Sequence, residues 1–248
     1  KLPLRRGKQF MRAYIHAFQG KPWNEECQAA CDGFTRLGIE CVLFTTNEEL
    51  DQRSGEDIVV GGMLMMHHSL AELGIQPPDY NYPEELHEYL GRNIRKVRLR
   101  DLQQEKLPVF IKPLEEKTAK GIIVNSREAL LEYRHLDSDA EILCSDVVHF
   151  QSEWRCFIRY GQLLGIQHYA GDPQKTPDQE RIRSALQKYR EIPSGCALDF
   201  GVADDGRTLL VEMNDGFAIG CYGLDPVLYA KMLYARWAEL VGAEDCFL

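Results

Sequence analysis

The sequence predicts an α/β protein with α+β character: a small open α/β layer over residues 11–78, then a larger mixed domain over residues 79–248. Two observations carry this. Short apolar runs first alternate with helical spacing in the order strand, helix, strand, strand, helix. After a Pro- and Tyr-rich connector, "IQPPDYNYP", the chain turns to strand pairs joined by tight turns and closes on one amphipathic helix.

"MRAYIHAF" reads as a strand, and "NEECQAACDGFTRLG" as a helix stopped at Gly38. "IECVLFT" and "DIVVGG" are the next strands, and "MLMMHHSLAELG" a second helix. Beyond the connector come a short helix ("EELHEYLGRNI"), a basic run ("RKVRLR") and the strand "LPVFIKP". The loop "LEEKTAKG" leads to a returning strand, "IIVN". "SREALLEYRHL" has helical spacing behind an N-cap serine, and "EILCSDVV" is a buried strand. "SEWRCFIRYGQLLGIQHY" forms a long hairpin turning at Tyr160–Gly161, which sets His168 opposite Glu153 and Ile166 opposite Arg155. "PDQERIRSALQKYREI" and "DPVLYAKMLYARWAELVG" are helices flanking a last hairpin. The basic, unpatterned "KLPLRRGKQF" at residues 1–10 is expected to be a leader or vector-derived segment, with Met11 the natural start.

Composition narrows the function. The net charge of −9 argues against general nucleic-acid binding, though a small anionic substrate needs only a local basic pocket. No apolar run approaches the roughly 20 residues that span a membrane, and no signal peptide is visible. The eight cysteines are scattered without a C-x-x-C pair or a histidine partner set, so reduced thiols and a cytoplasmic location are expected. His16, His67, His68, His87, His135 and His149 show no ligand spacing.

The last hairpin, "CALDFGVADDGRTLLVEMNDG" at residues 196–216, places two carboxylates and an asparagine where apolar residues belong. A two-residue turn at Asp205–Gly206 pairs Val202 with Leu209 and sets Asp199 directly opposite Glu212. Alternation puts Asn214 on that face, with Gly201, Leu210 and Ala197 as its other members. Opposed carboxylates repel unless a cation lies between them, and three oxygen donors suit Mg²⁺. A solvated hairpin face is the plain alternative. At the other strand end, Lys112 of "FIKP" is placed to meet a phosphate. Lys117, Thr118, Lys120 and Gly121 in the loop after it suit a phosphate-binding turn, although neither a Walker loop nor G-x-G-x-x-G is present. Glu153, Arg155, Phe157 and Arg159 share one face of the long hairpin, either lining a cavity or forming a structural ion pair.

These residues, in this order, resemble the ATP-grasp superfamily. "FIKP", "SDVVHFQSEWRCFI", "ALDFG" and "LLVEMNDG" match its lysine strand, nucleotide hinge and D…E-x-N metal set. From about residue 80 onward, "YPEELHEYLGRNI", "KTAKG", "YAGD" and "VEMNDGFAIGCYG…YAKMLYARW" look like the clade named for two arginines and a lysine. The resemblance implies an ATP-grasp fold of two α+β subdomains gripping ATP: residues 79–144 with the lysine strand and a lid loop, and residues 145–248 with the metal set. Lys112 would contact the α/β-phosphates and Lys117 the phosphates from the lid. The Asp146 carbonyl and Val148 N–H would read adenine, with Glu153 near the ribose. Asp199, Glu212 and Asn214 would hold Mg²⁺, and Arg155 would face the γ-phosphate or a developing acyl phosphate. Many members carry a further phosphate lysine before the lysine strand; among Arg92, Arg95, Lys96, Arg98 and Arg100, Arg92 is the expected replacement.

The implied activity is an ATP- and Mg-dependent carboxylate–amine ligase. A substrate carboxylate attacks ATP, and an amine displaces phosphate from the acyl phosphate, on an amino acid or peptide. A kinase on the same face, a non-catalytic nucleotide-binding module and an unrelated structural domain are the alternatives. Arg155, Arg159, Arg181 and Arg183 are candidates for an acceptor carboxylate, the last two equally for a solvated helix face.

Overall fold

The computed structural model describes residues 11–78, 82–114 and 120–248; the expected leader, Lys117 and Thr118 lie outside them. The first sheet is built on β1 (Arg12–Phe18), joined near its end by the two-residue β2 (Lys21–Pro22). Asn24 caps α1 (Glu25–Arg36) by accepting the Cys27 N–H at 2.9 Å, a contact worth about 1 kcal/mol. Parallel strands β3 (Glu40–Phe44) and β4 (Ile58–Val60) lie on either side of β1, and α2 (Met63–Glu72) follows from Gly62. This is the expected strand–helix–strand–strand–helix layer.

A short helix, α3 (His87–Leu90), stops at Gly91 and leads into an antiparallel sheet ordered β5-β8-β6-β7: β5 (Ile94–Arg98), β6 (Val109–Pro113), β7 (Ile122–Val124) and β8 (Glu141–Ser145). The basic run "RKVRLR" is therefore mostly β5, an edge strand. Arginine and lysine on an edge are ordinary protection against stray pairing, which is why its charge hides it. "SREALLEYRHL" winds as a 3₁₀ segment over Arg127–Tyr133 rather than an α-helix. At seven residues it is too short to gain much from α-helical cooperativity.

The third sheet has order β10-β9-β11-β12, all antiparallel: β9 (Phe150–Arg159), β10 (Gln162–Gly171), β11 (Gly195–Ala203) and β12 (Thr208–Asp215). Between β10 and β11 runs α4 (Gln179–Lys188), and α5 (Pro226–Val241) closes the chain. One face of this sheet buries Cys156, Leu198 and Phe200 against Ile182 and Ala185 of α4. From the opposite face Phe157 and Ala197 join a core with Trp237 and Leu233 of α5 and the first layer's Ile15 and Phe34. Gly33 permits that junction, because a Cβ there would lie 1.9 Å from the Pro226 carbonyl oxygen.

Both hairpins depart from the expected register. The β9–β10 turn is at Tyr160–Gly161, both left-handed (φ 48° and 70°). Irregularities at Leu164 and Tyr169 then shift the pairing, so His168 faces Trp154, Ile166 faces Cys156, Gln167 faces Arg155 and Ala170 faces Glu153. In β11–β12 the loop has three residues rather than two: Ala203 N–H donates to the Arg207 carbonyl at 2.9 Å, and only Gly206 is left-handed. Val202 consequently pairs with Thr208 and Phe200 with Leu210, which carries Leu210 to the α4 side. An extra residue at Val211 cancels the offset, and Asp199 stands opposite Glu212 as expected. Two compensating irregularities thus preserve the expected pair.

Candidate nucleotide and metal site

A cleft of about 480 Å³ opens between the second and third sheets, within the range of small-molecule sites. Alternation along β6 buries Val109, Ile111 and Pro113, leaving Phe110 and Lys112 to line the cleft. Gly121 lets the chain pass close by, since a Cβ there would lie 2.5 Å from the Phe110 ring. Facing them are the crossing segment from Ser145 to Phe150, Glu153 of β9, and Val211 and Glu212 of β12.

The crossing segment is anchored to β5. Asp146 accepts the Asn93 N–H on Oδ2 at 3.1 Å and donates its own N–H to the Asn93 carbonyl at 3.3 Å. Its carbonyl accepts the Ser145 hydroxyl at 3.0 Å, which leaves one of two lone pairs. Asp146 and Val148 both line the cleft. Glu153 accepts the Tyr169 hydroxyl at 2.7 Å, and burial with that contact pushes the Tyr169 phenol far up.

A row of charges reaches the cleft at Lys112 and Glu212. Arg155, Asp199 and Glu212 are register partners on β9, β11 and β12, and Lys112 reaches Glu212 from the opposite sheet. Arg155 grips Asp199 through Nε–Oδ1 at 2.8 Å and Nη2–Oδ2 at 2.7 Å, with both groups almost fully buried. Asn214 donates from Nδ2 to Asp199 Oδ2 at 3.0 Å. The half-buried Lys112 ammonium lies 2.8 Å from Glu212 Oε2. Burial pushes the Asp199 carboxyl up, while the two hydrogen bonds from Arg155 pull against it. Burial likewise works against the Arg155 charge, but Asp199 outweighs it and the guanidinium is held protonated. The cations that keep Asp199 and Glu212 from repelling one another are thus Arg155 and Lys112.

Arg92 also lines the cleft, with its guanidinium donating to the Leu210 and Val211 carbonyls at 2.8 and 2.7 Å. It thereby staples the bulge that restores the Asp199–Glu212 pairing. The other basic candidates point elsewhere: Arg95 pairs with Glu105, and Arg98 and Arg100 with Asp139. Of the acceptor candidates, Arg159 pairs with Asp245 at 2.7 Å. Arg181 covers the Tyr89 ring and Arg183 pairs with Glu180 on its own helix, the solvated-face alternative.

Sequence reasoning missed the aromatic surroundings of Arg155. Tyr169 and Tyr222 stack at 5.1 Å and 19°, and the guanidinium lies 5.7 and 5.0 Å from their ring centres. Tyr222 is left-handed (φ 44°), and Gly220 has no Cβ to strike its ring. The "GFAIGCYG" glycines signal such a close approach without saying what approaches. A second buried fork, Arg236 to Asp215 at 2.6 Å on both arms, holds the end of β12 just past Asn214. It joins residues 21 apart in the chain, which no local spacing discloses.

Among the described residues no three His, Cys, Asp or Glu side chains cluster to hold a metal. The expected set contains only two carboxylates, with an amide as its third donor. The three residues share one face and carry hard oxygen donors, the chemistry that suits Mg²⁺, and Asn214 is tied to Asp199 by a hydrogen bond. No helix among the described residues is long and apolar enough to cross a membrane.

A lysine strand and a D…E-x-N hairpin facing one another across a cleft between two antiparallel sheets define the ATP-grasp fold. Residues 89–232 match the family model of an ATP-grasp domain, the second family of the clade named for two arginines and a lysine, and the chain belongs to that family. Solved structures agree on the fold. A D-alanine–D-alanine ligase from Bacillus anthracis complexed with ATP is 16% identical with a TM-score of 0.57, covering 94% of this chain and 98% of that one. An L-amino acid ligase from Bacillus licheniformis is 12% identical with a TM-score of 0.59, covering 93% and 76%. D-cycloserine synthetase DcsG is 14% identical with a TM-score of 0.59, covering 92% and 99%. At these identities the likeness speaks for the fold. No curated protein matches the chain in sequence.

Proposed function

We propose that this protein is an ATP- and Mg-dependent carboxylate–amine ligase that works through an acyl phosphate and releases ADP and phosphate. The supporting observation is the row Arg155–Asp199–Glu212–Lys112, whose Glu212 and Lys112 end lines a cleft of small-molecule size while Arg155 and Asp199 are buried behind it, in a chain of the ATP-grasp family. Named neighbours that join amino acids support amino-acid or peptide substrates.

In this reading the adenine lies against Phe110 and Ile122, with the Asp146 carbonyl and Val148 N–H on its edge and Glu153 at the ribose. Lys112 meets the α/β-phosphates, with Arg92 at the cleft wall as a further phosphate cation; Lys117, expected to add another, lies outside the described residues. Glu212, Asn214 and the remaining lone pairs of Asp199 hold Mg²⁺, which when bound neutralises the phosphate oxygens. Arg155 keeps Asp199 in place through one edge. Its other edge, Nη1, has only a 3.5 Å contact to the Gly220 carbonyl and is the side offered to the transferred phosphoryl group. Gathering cations where a carboxylate approaches a triphosphate is the main electrostatic task of such a site.

The test is incubation with Mg-ATP and a pooled amino-acid and peptide extract, quantifying ADP and free phosphate, with Glu212→Gln as control. ADP and phosphate rising together, only with extract and only with the native protein, is the expected result. ADP without matching phosphate would replace the ligase with a kinase, and nucleotide binding without turnover with any extract would leave a non-catalytic module.

A further inference from the structure

Resting on the ATP–magnesium reading, we propose that Lys112 is an exchangeable counter-ion of the metal site: it occupies Glu212 until nucleotide phosphates draw it away, so the divalent ion binds well only together with the nucleotide.

The two cations of the row are built differently. Arg155 is buried, holds Asp199 by two parallel hydrogen bonds and is flanked by two tyrosine rings, so it is a fixed part of the sheet. Lys112 is half-buried at the cleft wall and spans from β6 to β12, reaching Glu212 with one nitrogen at 2.8 Å. An ammonium on a four-carbon stem rotates away easily, whereas a forked guanidinium does not. A divalent ion at Glu212 would sit against this ammonium, and like charges at that range repel strongly. Asn214 is likewise engaged in the resting site, donating its amide N–H to Asp199 Oδ2 at 3.0 Å. The described residues also lack any ready-made cluster of three acidic, histidine or cysteine ligands. Triphosphate supplies the missing element: anionic oxygens that accept Lys112, freeing Glu212, and that themselves ligate the ion. Metal and nucleotide then raise each other's affinity by the same factor, as linkage requires.

The test titrates Mn²⁺, read by its paramagnetic resonance, into the intact protein with and without a saturating non-hydrolysable ATP analogue. Native protein is expected to bind Mn²⁺ about tenfold or more tightly with the analogue present. Lys112→Met should bind Mn²⁺ alone about tenfold more tightly than native protein while binding the analogue more weakly; Lys112→Gln serves if the methionine variant folds poorly. Adding Glu212→Gln to either should abolish the gain. Unchanged or weaker Mn²⁺ binding by both lysine variants, with analogue binding by native protein intact, overturns the exchange alone. Failure of native protein to bind the analogue at all removes the nucleotide reading and this proposal together.

Discussion

Arg155 and Asp199 are direct neighbours across β9 and β11, and they meet as a closed fork, Nε to Oδ1 at 2.8 Å and Nη2 to Oδ2 at 2.7 Å, both almost fully buried. A residue expected to bind metal and one expected to face phosphate are thus each other's principal partner. Asp199 cannot be altered without leaving a buried guanidinium uncompensated, so its substitution tests stability as well as chemistry.

Breaking the fork from either side is expected to be costly. Arg155→Met and Asp199→Leu should each destabilise the protein by about 3–5 kcal/mol, whereas the two together should cost clearly less than the sum of the singles. Urea unfolding of the four proteins measures this. Additive losses would mean that the pair is not a unit.

Glu212 offers a cleaner probe of the proposed metal site. It is half-buried and its partner Lys112 reaches water, so Glu212→Gln should change stability by no more than about 1 kcal/mol. Turnover of Mg-ATP should nonetheless fall by about 10²-fold or more. Matched unfolding midpoints with lost turnover are the expected pair of results; retained turnover would remove Glu212 from the metal set.

Much of this is legible in the sequence because alternation and strand-end residues follow from backbone geometry. The lysine strand, the hairpin carrying Asp199, Glu212 and Asn214, and the alternating layer of the first sheet all have local signatures. What escapes is whatever depends on an inserted residue or a distant partner. Alternation cannot reveal that Leu164 and Tyr169 are extra in β10, because the pattern resumes on either side of each. Nor can the three-residue loop at Asp204–Gly206 be told from a two-residue one, as "DDG" serves both. Arg92, Arg236 and Tyr222 act through residues far along the chain or through rings packed in space, and no spacing rule reaches them.

The cleft wall gives a steric prediction. A Cβ on Gly201 would lie 2.2 Å from the Phe150 ring, and Phe150 lines the cleft proposed to take nucleotide. Gly201→Ala must therefore displace this ring of the cleft wall, at a stability cost of about 1–3 kcal/mol. Affinity for a non-hydrolysable ATP analogue should fall, and adding Phe150→Leu should restore part of it. Unaltered affinity in the single variant would show that nucleotide does not use this wall.

The last prediction concerns Lys120 and its support from Tyr133. Tyr133 is buried, with its hydroxyl donating to the Lys120 carbonyl at 2.5 Å and facing the Ile111 carbonyl at 3.5 Å. Burial pushes its phenol from the usual 10 up to about 12. The folded protein keeps this proton over a range in which the unfolded chain has lost it. Its contribution to stability is therefore complete below about pH 10 and disappears as pH rises toward 12. Tyr133→Phe should be about 1 kcal/mol less stable than native protein at neutral pH, from the lost hydrogen bond. From pH 10 upward the gap should narrow, because the native protein loses a contribution that the variant never had. Denaturant unfolding of both proteins at pH 7, 9 and 10.5 reads the difference directly; a gap independent of pH would show that the fold does not hold this proton.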